Sequence, residues 1–136
     1  MFSILDVSTS GLVAQRARLN AISSNIANIS TTRNELGQPE AYQPRFVTFQ
    51  TDEKISTPGG GAGVKVASVE QSNAPPKMKY EPGHPDADAR GFVRYPAVDM
   101  TTEFVDSLEA TRAYEANIGV IEVSKNMADQ ALRIIA

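Results

Sequence analysis

The residues able to do chemistry are few and scattered. Gly59-Gly-Gly-Ala-Gly63-Val-Lys65 has the glycine density of a phosphate-cradling loop. Such a loop needs a Lys directly after its last Gly, then Ser or Thr, with a helix behind it. Here Val64 intervenes, no hydroxyl follows Lys65 and no helical pattern begins, so the run reads as a flexible turn. His84, Asp86 and Asp88 alternate along a second loop. Oxygen-rich loops hold hard cations, but this set lacks further ligands nearby, and Pro-Gly-His-Pro-Asp is ordinary turn chemistry. The single His has no Gly-x-Ser-x-Gly elbow to serve. Asp6 and Glu103 invite an acid–base pairing, yet both are better explained as first-turn charges on helices. Asn28-Ile-Ser30 matches a glycosylation triplet, and Arg16, Arg18 and Arg33 are too sparse for a basic patch. The expectation is no catalytic residue, no metal and no cofactor.

The elements that would position these residues are clear from periodicity. Leu5, Leu12, Leu19 and Ile26 recur every seven residues, with Ser8, Gln15, Ile22 and Ile29 as a companion row. This is the alternating three-and-four spacing of a long helix with a coiled-coil-like seam. It is expected to start near Ser3 or Asp6 and to run to about Ile29, with Arg16, Arg18, Asn20 and Asn25 off the seam. A second helix is expected from the N-cap Asp99 for about 35 residues, or about 50 Å. Its stripe is Met100, Phe104, Ser107, Thr111, Tyr114, Ile118, Ile121, Lys125, Ala128, Leu132 and Ile135. Between them, Pro and Gly cluster and short strands are expected at Arg45–Gln50, Val64–Val69, Lys77–Tyr80 and Phe92–Tyr95.

The fold expected is therefore α+β: terminal helices paired as a coiled-coil-like unit, with a small β-rich, loop-rich middle as an insertion. The segments are residues 1–33, 34–98 and 99–136. Leu5, Leu12, Leu19, Ile22 and Ile26 are expected to pack with Phe104, Leu108, Ile118, Ile121 and Leu132, within the chain or between chains. Two helices cannot cover stripes that wide, since Val105, Val120 and Met127 lie beside them. Partners from neighbouring molecules are expected.

Composition agrees. The chain has 136 residues, a net charge of −3 and 41% hydrophobic residues. Without a basic stripe no nucleic-acid partner is expected. With no Cys there are no disulfides or thiolate metal sites. The N-terminus has neither a basic start nor an apolar run before a cleavage site, so no secretory signal peptide is expected.

Several segments are familiar. Ser10-Gly-Leu-Val-Ala-Gln15, Leu19 and Ser23-Ser-Asn-Ile-Ala-Asn28 resemble the N-terminal motif of bacterial flagellar rod and hook proteins. Tyr42-x-x-x-Phe46, Gly91-Phe-Val-Arg-Tyr-Pro-Ala-Val-Asp99 and Tyr114-Glu-Ala-Asn117 resemble later segments of that family. The positions carrying the likeness are Ser10, Leu12, Ala14, Gln15, Leu19, Ser23, Asn25, Ile26, Ala27, Asn28, Pro96, Val98, Asp99, Tyr114, Ala116 and Asn117. Ala97 departs from it, where the family usually has Asn. The short middle favours a proximal rod protein over the hook and distal-rod relatives. The two short proximal rod proteins are sisters, and a soluble coiled-coil adaptor is the rival from another class. The resemblance implies a structural, non-enzymatic subunit of the basal-body rod in the periplasm. It implies delivery by the flagellar type III export apparatus without a cleaved signal. The implied partners are itself, other rod proteins and the rod-base adaptor, with no small-molecule substrate.

Overall fold

The computed structural model describes residues 2–135, and side chains from Ser3 to Ile134. The segment ends expected at Met1 and Ala136, and the Ile135 side chain, lie outside them. The order is α1 (Phe2–Ala27), β1 (Arg45–Ser56), β2 (Ala62–Gln71), β3 (Lys77–Tyr80), β4 (Phe92–Tyr95) and α2 (Met100–Ile135). The fold is α+β, as the spacing predicts.

α1 ends two residues before Ile29 for a local reason. Asn28 Nδ2 donates to the Ser24 carbonyl (2.9 Å) while Asn28 Oδ1 accepts from the Thr31 hydroxyl (3.1 Å). An Asn side chain competing for backbone groups in this way favours a helix end. α2 begins where Asp99 caps it: Thr102 N–H donates to Asp99 Oδ1 at 3.0 Å.

β1 and β2 form one antiparallel hairpin, with Val47 opposite Val69 and a bulge between Thr48 and Phe49. Its turn is closed by Thr57, whose amide donates to the Gly61 carbonyl (2.7 Å) and whose hydroxyl accepts from Gly61 N–H (2.8 Å). Gly60 takes φ +85° there. β1 extends to Ser56, beyond the expected Gln50. Thr51 to Lys54 are polar and, apart from half-buried Asp52, exposed, so they carry no apolar alternation to mark a strand. β3 and β4 form a second, separate hairpin, Lys77 opposite Tyr95 and Tyr80 opposite Phe92. Gly91 turns it at φ +81°, with the Tyr80 ring where a Cβ would sit.

α1 lies at the centre, against α2 on one side and the β1–β2 hairpin on the other. The helices are antiparallel: Gly11 meets Asn117, Arg18 meets Asp106 and Glu109, and Asn25 meets Glu103. The first hairpin runs back along α1 from the Asn25–Arg45 contact to the Ser10–Val64 contact, so it flanks the pair rather than capping one end. The buried residues include Ala14, Ala21 and Ala110, together with Ile22, Val93, Pro96 and Val98.

Candidate functional site in the helix seam

The seam between α1 and α2 differs in part from the expected one. On α1 the companion row holds, with Ser8 and Ile22 buried and Gln15 half-buried. The second row facing α2 is Gly11, Arg18 and Asn25, of which Arg18 and Asn25 were expected off the seam. Leu5, Leu12, Leu19 and Ile26 are half-buried on its flank. On α2 the covered residues include the row Glu103, Ser107, Ala110, Tyr114, Asn117, Ile121, Ser124 and Ala128, again at alternating four and three, with Asp106, Ala113 and Gly119 beside it. Phe104, Leu108 and Leu132 stand largely outside, at 55%, 60% and 65% exposed, and Ile118 is partly covered at 37%. The physical cause is that α1 serves two neighbours at once. Small residues let both approach, and polar residues at seven-residue spacing fill the seam.

The best-built part of the seam is centred on Asn25, 3% exposed. Its Nδ2 donates to the Arg45 carbonyl (2.8 Å) and to Glu103 Oε1 (3.0 Å). Its Oδ1 accepts from Arg45 N–H (2.8 Å) and from the Tyr42 hydroxyl (3.1 Å). The amide's two donors and two acceptor sites are all used, and one side chain ties α1, β1 and the first turn of α2 together. Ser24 Oγ lies 3.1 Å from the same Tyr42 hydroxyl. Burial pushes the Glu103 carboxyl above its ordinary range, nearby Asp106 adds to this, and the Asn25 bond opposes it. Asp86, by contrast, is held below its ordinary range by the Thr32 hydroxyl (2.7 Å) and then by Arg33 (2.6 Å).

The other motif residues take distinct places. Ser10 Oγ donates to the Val7 carbonyl (2.6 Å) and accepts from Val64 N–H (3.0 Å), fastening the hairpin to α1. Ala14 is buried, and Gln15 Oε1 is buried with no hydrogen-bond partner among the described residues. Asn117 Nδ2 donates to the Ala113 carbonyl (2.8 Å), which presses the amide against Gly11: a Cβ at Gly11 would lie 2.9 Å from Asn117 Oδ1. Pro96 and Val98 are buried within the β4–α2 connection, Tyr114 is half-buried, and Ser23, Ala27 and Ala116 are exposed.

The residues weighed for chemistry are placed otherwise. Asp6 and Glu103 lie towards opposite ends of the helix pair. Asp86 is spent on Thr32 and Arg33, and Asp88 Oδ1 accepts from the amides of Arg90 (2.8 Å) and Phe92 (2.9 Å). His84 Nδ1 accepts from the Asp86 amide at 3.1 Å. This loop is thereby pinned to the 31–33 connection rather than free in solvent. Sequence reasoning missed Gly11, Arg18 and Tyr42 as seam and clamp residues. The available signal was the seven-residue spacing of Gly11, Arg18 and Asn25, invisible to a count of apolar residues.

A paired-helix module with a small and polar seam and a broad apolar outer face defines an assembly type of structural protein. Residues 5–33 match the family described as flagella basal body rod protein, and residues 89–134 match the flagellar basal body rod FlgEFG protein C-terminal family. The flagellar basal-body rod protein FlgC of Salmonella typhimurium (strain LT2) is 44% identical over 98% of this chain and 97% of its own. Those of Borreliella burgdorferi (strain B31) and Bacillus subtilis (strain 168) are 41% and 37% identical, over 99% and 98% of this chain and 97% of theirs. The chain belongs to the FlgC family of flagellar basal-body rod proteins.

Proposed function

We propose that the chain is a structural subunit of the proximal part of the flagellar basal-body rod. It polymerises through its terminal helices into the shaft that transmits torque, and is needed for flagellum assembly and motility. The observation that carries this beyond family membership is the outer face of α2. Met100, Phe104, Val105, Leu108, Val120, Val123 and Met127 are 40–62% exposed along one helix. They fall in two groups, residues 100–108 and 120–127, and clustered exposed apolar residues mark an interaction surface where isolated ones do not. The partners are further copies, other rod proteins and the rod-base adaptor. Delivery is through the flagellar type III export apparatus, with no cleaved signal, to the periplasmic rod. A seam of Ser, Gly, Gln and Asn supports that route, because it buries little apolar area to resist separation of the helices. Imaging of basal bodies from a deletion strain tests the reading. Rods should be absent, and they should return when this chain is supplied. Intact rods in the deletion strain overturn it.

A further inference from the structure

Methionine is the only sulfur-bearing residue type in the chain, so there is no Cys to meet an oxidant first. Among the described residues three methionines are open to solvent: Met78 is 51% exposed, Met100 40% and Met127 62%. Their settings differ. Met100 opens α2 and leads the group that continues with Phe104 and Leu108, one and two turns on along the same side of the helix. Met127 closes the second group, one turn after Val123 and two after Val120. Met78 lies on β3 opposite Arg94, in the separate second hairpin, whose strands meet neither helix among the described residues.

We infer that Met100 and Met127 are oxidation sites through which a peroxide withdraws the free chain from assembly. The consequence for assembly rests on the rod-subunit reading and on the two apolar groups it uses; the reactivity does not. The thioether sulfur attacks one oxygen of hydrogen peroxide, the O–O bond breaks as the S–O bond forms, and the departing hydroxide takes the remaining proton and leaves as water. Sulfur is oxidised and the peroxide reduced, so thioether and peroxide give sulfoxide and water. The sulfoxide is polar and a strong hydrogen-bond acceptor. On an open face water bonds it, and the chain stays folded. Pressed between apolar side chains it has no donor, and burying it there is costly. Oxidation therefore spoils the contacts of the two groups while sparing the helix seam. In a chain already assembled through these groups the thioethers are covered, so the site acts before assembly and not after it. Sulfoxide reductases return the thioether, which makes the block reversible.

Peptide mass spectrometry of the purified chain after hydrogen peroxide should show one added oxygen at each of Met78, Met100 and Met127, with the urea midpoint unchanged. Unreacted Met100 and Met127 overturn the inference, and so does a lowered midpoint, because the damage would then be to folding. In cells, variants replace the native chain. Met100→Gln with Met127→Gln puts polar groups at both sites, and rods and motility should be lost although the purified variant keeps the native urea midpoint. Met100→Leu with Met127→Leu keeps both sites apolar and should swim, as should Met78→Gln, which places polarity outside the two groups. Peroxide is then given as the chain is first produced in a deletion strain. The native chain should fail to restore swimming where the Leu pair still restores it. Swimming cells with the Gln pair, a non-motile Leu pair, or equal peroxide sensitivity of native and Leu-pair cells each overturn the inference and leave the rod-subunit reading standing. Basal bodies with intact rods in the deletion strain discard that reading.

Discussion

At the scale of single residues, the buried polar groups are the ones that matter most. Truncating Asn25, itself 3% exposed, leaves the Arg45 peptide and Glu103 without their partners. Asn25→Ala should cost about 2–3 kcal/mol, read as a lower urea midpoint of the purified chain at unchanged slope. Glu103 and Asp86 respond to pH with opposite signs. Glu103 is raised by burial, so the folded chain binds a proton more readily than the unfolded one, and stability falls as pH rises from the ordinary value of 4.5 through the raised one. Glu103→Gln keeps an acceptor for Asn25 and loses the charge. It should raise the melting temperature at pH 7, with the gain disappearing below about pH 4.5. Asp86 is lowered by Thr32 and Arg33, so its contribution is present above the ordinary 3.8 and is lost as pH falls through the lowered value. Asp86→Asn should therefore destabilise at pH 7, with the difference shrinking in strong acid. A pH-independent difference for either variant contradicts the assignment.

At the scale of elements, the helix pair is governed by close approach. Gly in a helix interior costs about 1 kcal/mol relative to Ala, so Gly11→Ala would ordinarily stabilise α1. Here the new methyl meets the Asn117 amide, which is tied to the Ala113 carbonyl. Gly11→Ala should destabilise the native chain and stabilise an Asn117→Ala background by about 1 kcal/mol. Equal effects in both backgrounds would sink the contact. Ile22 is the large apolar side chain buried in the α1 seam, at 6% exposure, and Ile22→Ala should cost about 2–5 kcal/mol.

At the scale of the whole molecule, the face of α2 proposed for assembly is distinct from the face that packs on α1. Phe104 and Leu108 are more than half exposed, so Phe104→Ser with Leu108→Ser should shift the stability of the isolated chain by no more than about 0.5 kcal/mol. The same pair should abolish motility and rod formation in cells. Stable chains that still support swimming would remove this stripe from the polymer interface. Large losses of stability in the isolated chain would show that the stripe packs internally.

The sequence by itself determined both helices, the existence of the four strands though not the extension of β1 to Ser56, the α+β class and the family. Each of these rests on local signals: seven-residue recurrence, the Asp99 cap, the Gly and Pro breaks, and motifs contiguous in the chain. Periodicity states that a helix has a face. It does not state which neighbour covers it, because that depends on the sizes of side chains on both partners. Only the tertiary structure decided that the seam runs through Ser8, Gly11, Gln15, Arg18, Ile22 and Asn25 while the Leu5–Leu12–Leu19–Ile26 row stands on its flank. Two neighbours crowd α1, and close packing of backbones favours small residues and satisfied amides over large apolar ones. The same crowding leaves Phe104 and Leu108 outside, while Leu132 lies beyond the start of α1. These apolar residues were legible from the sequence as a helix face, and the structure leaves most of that face uncovered by the chain itself.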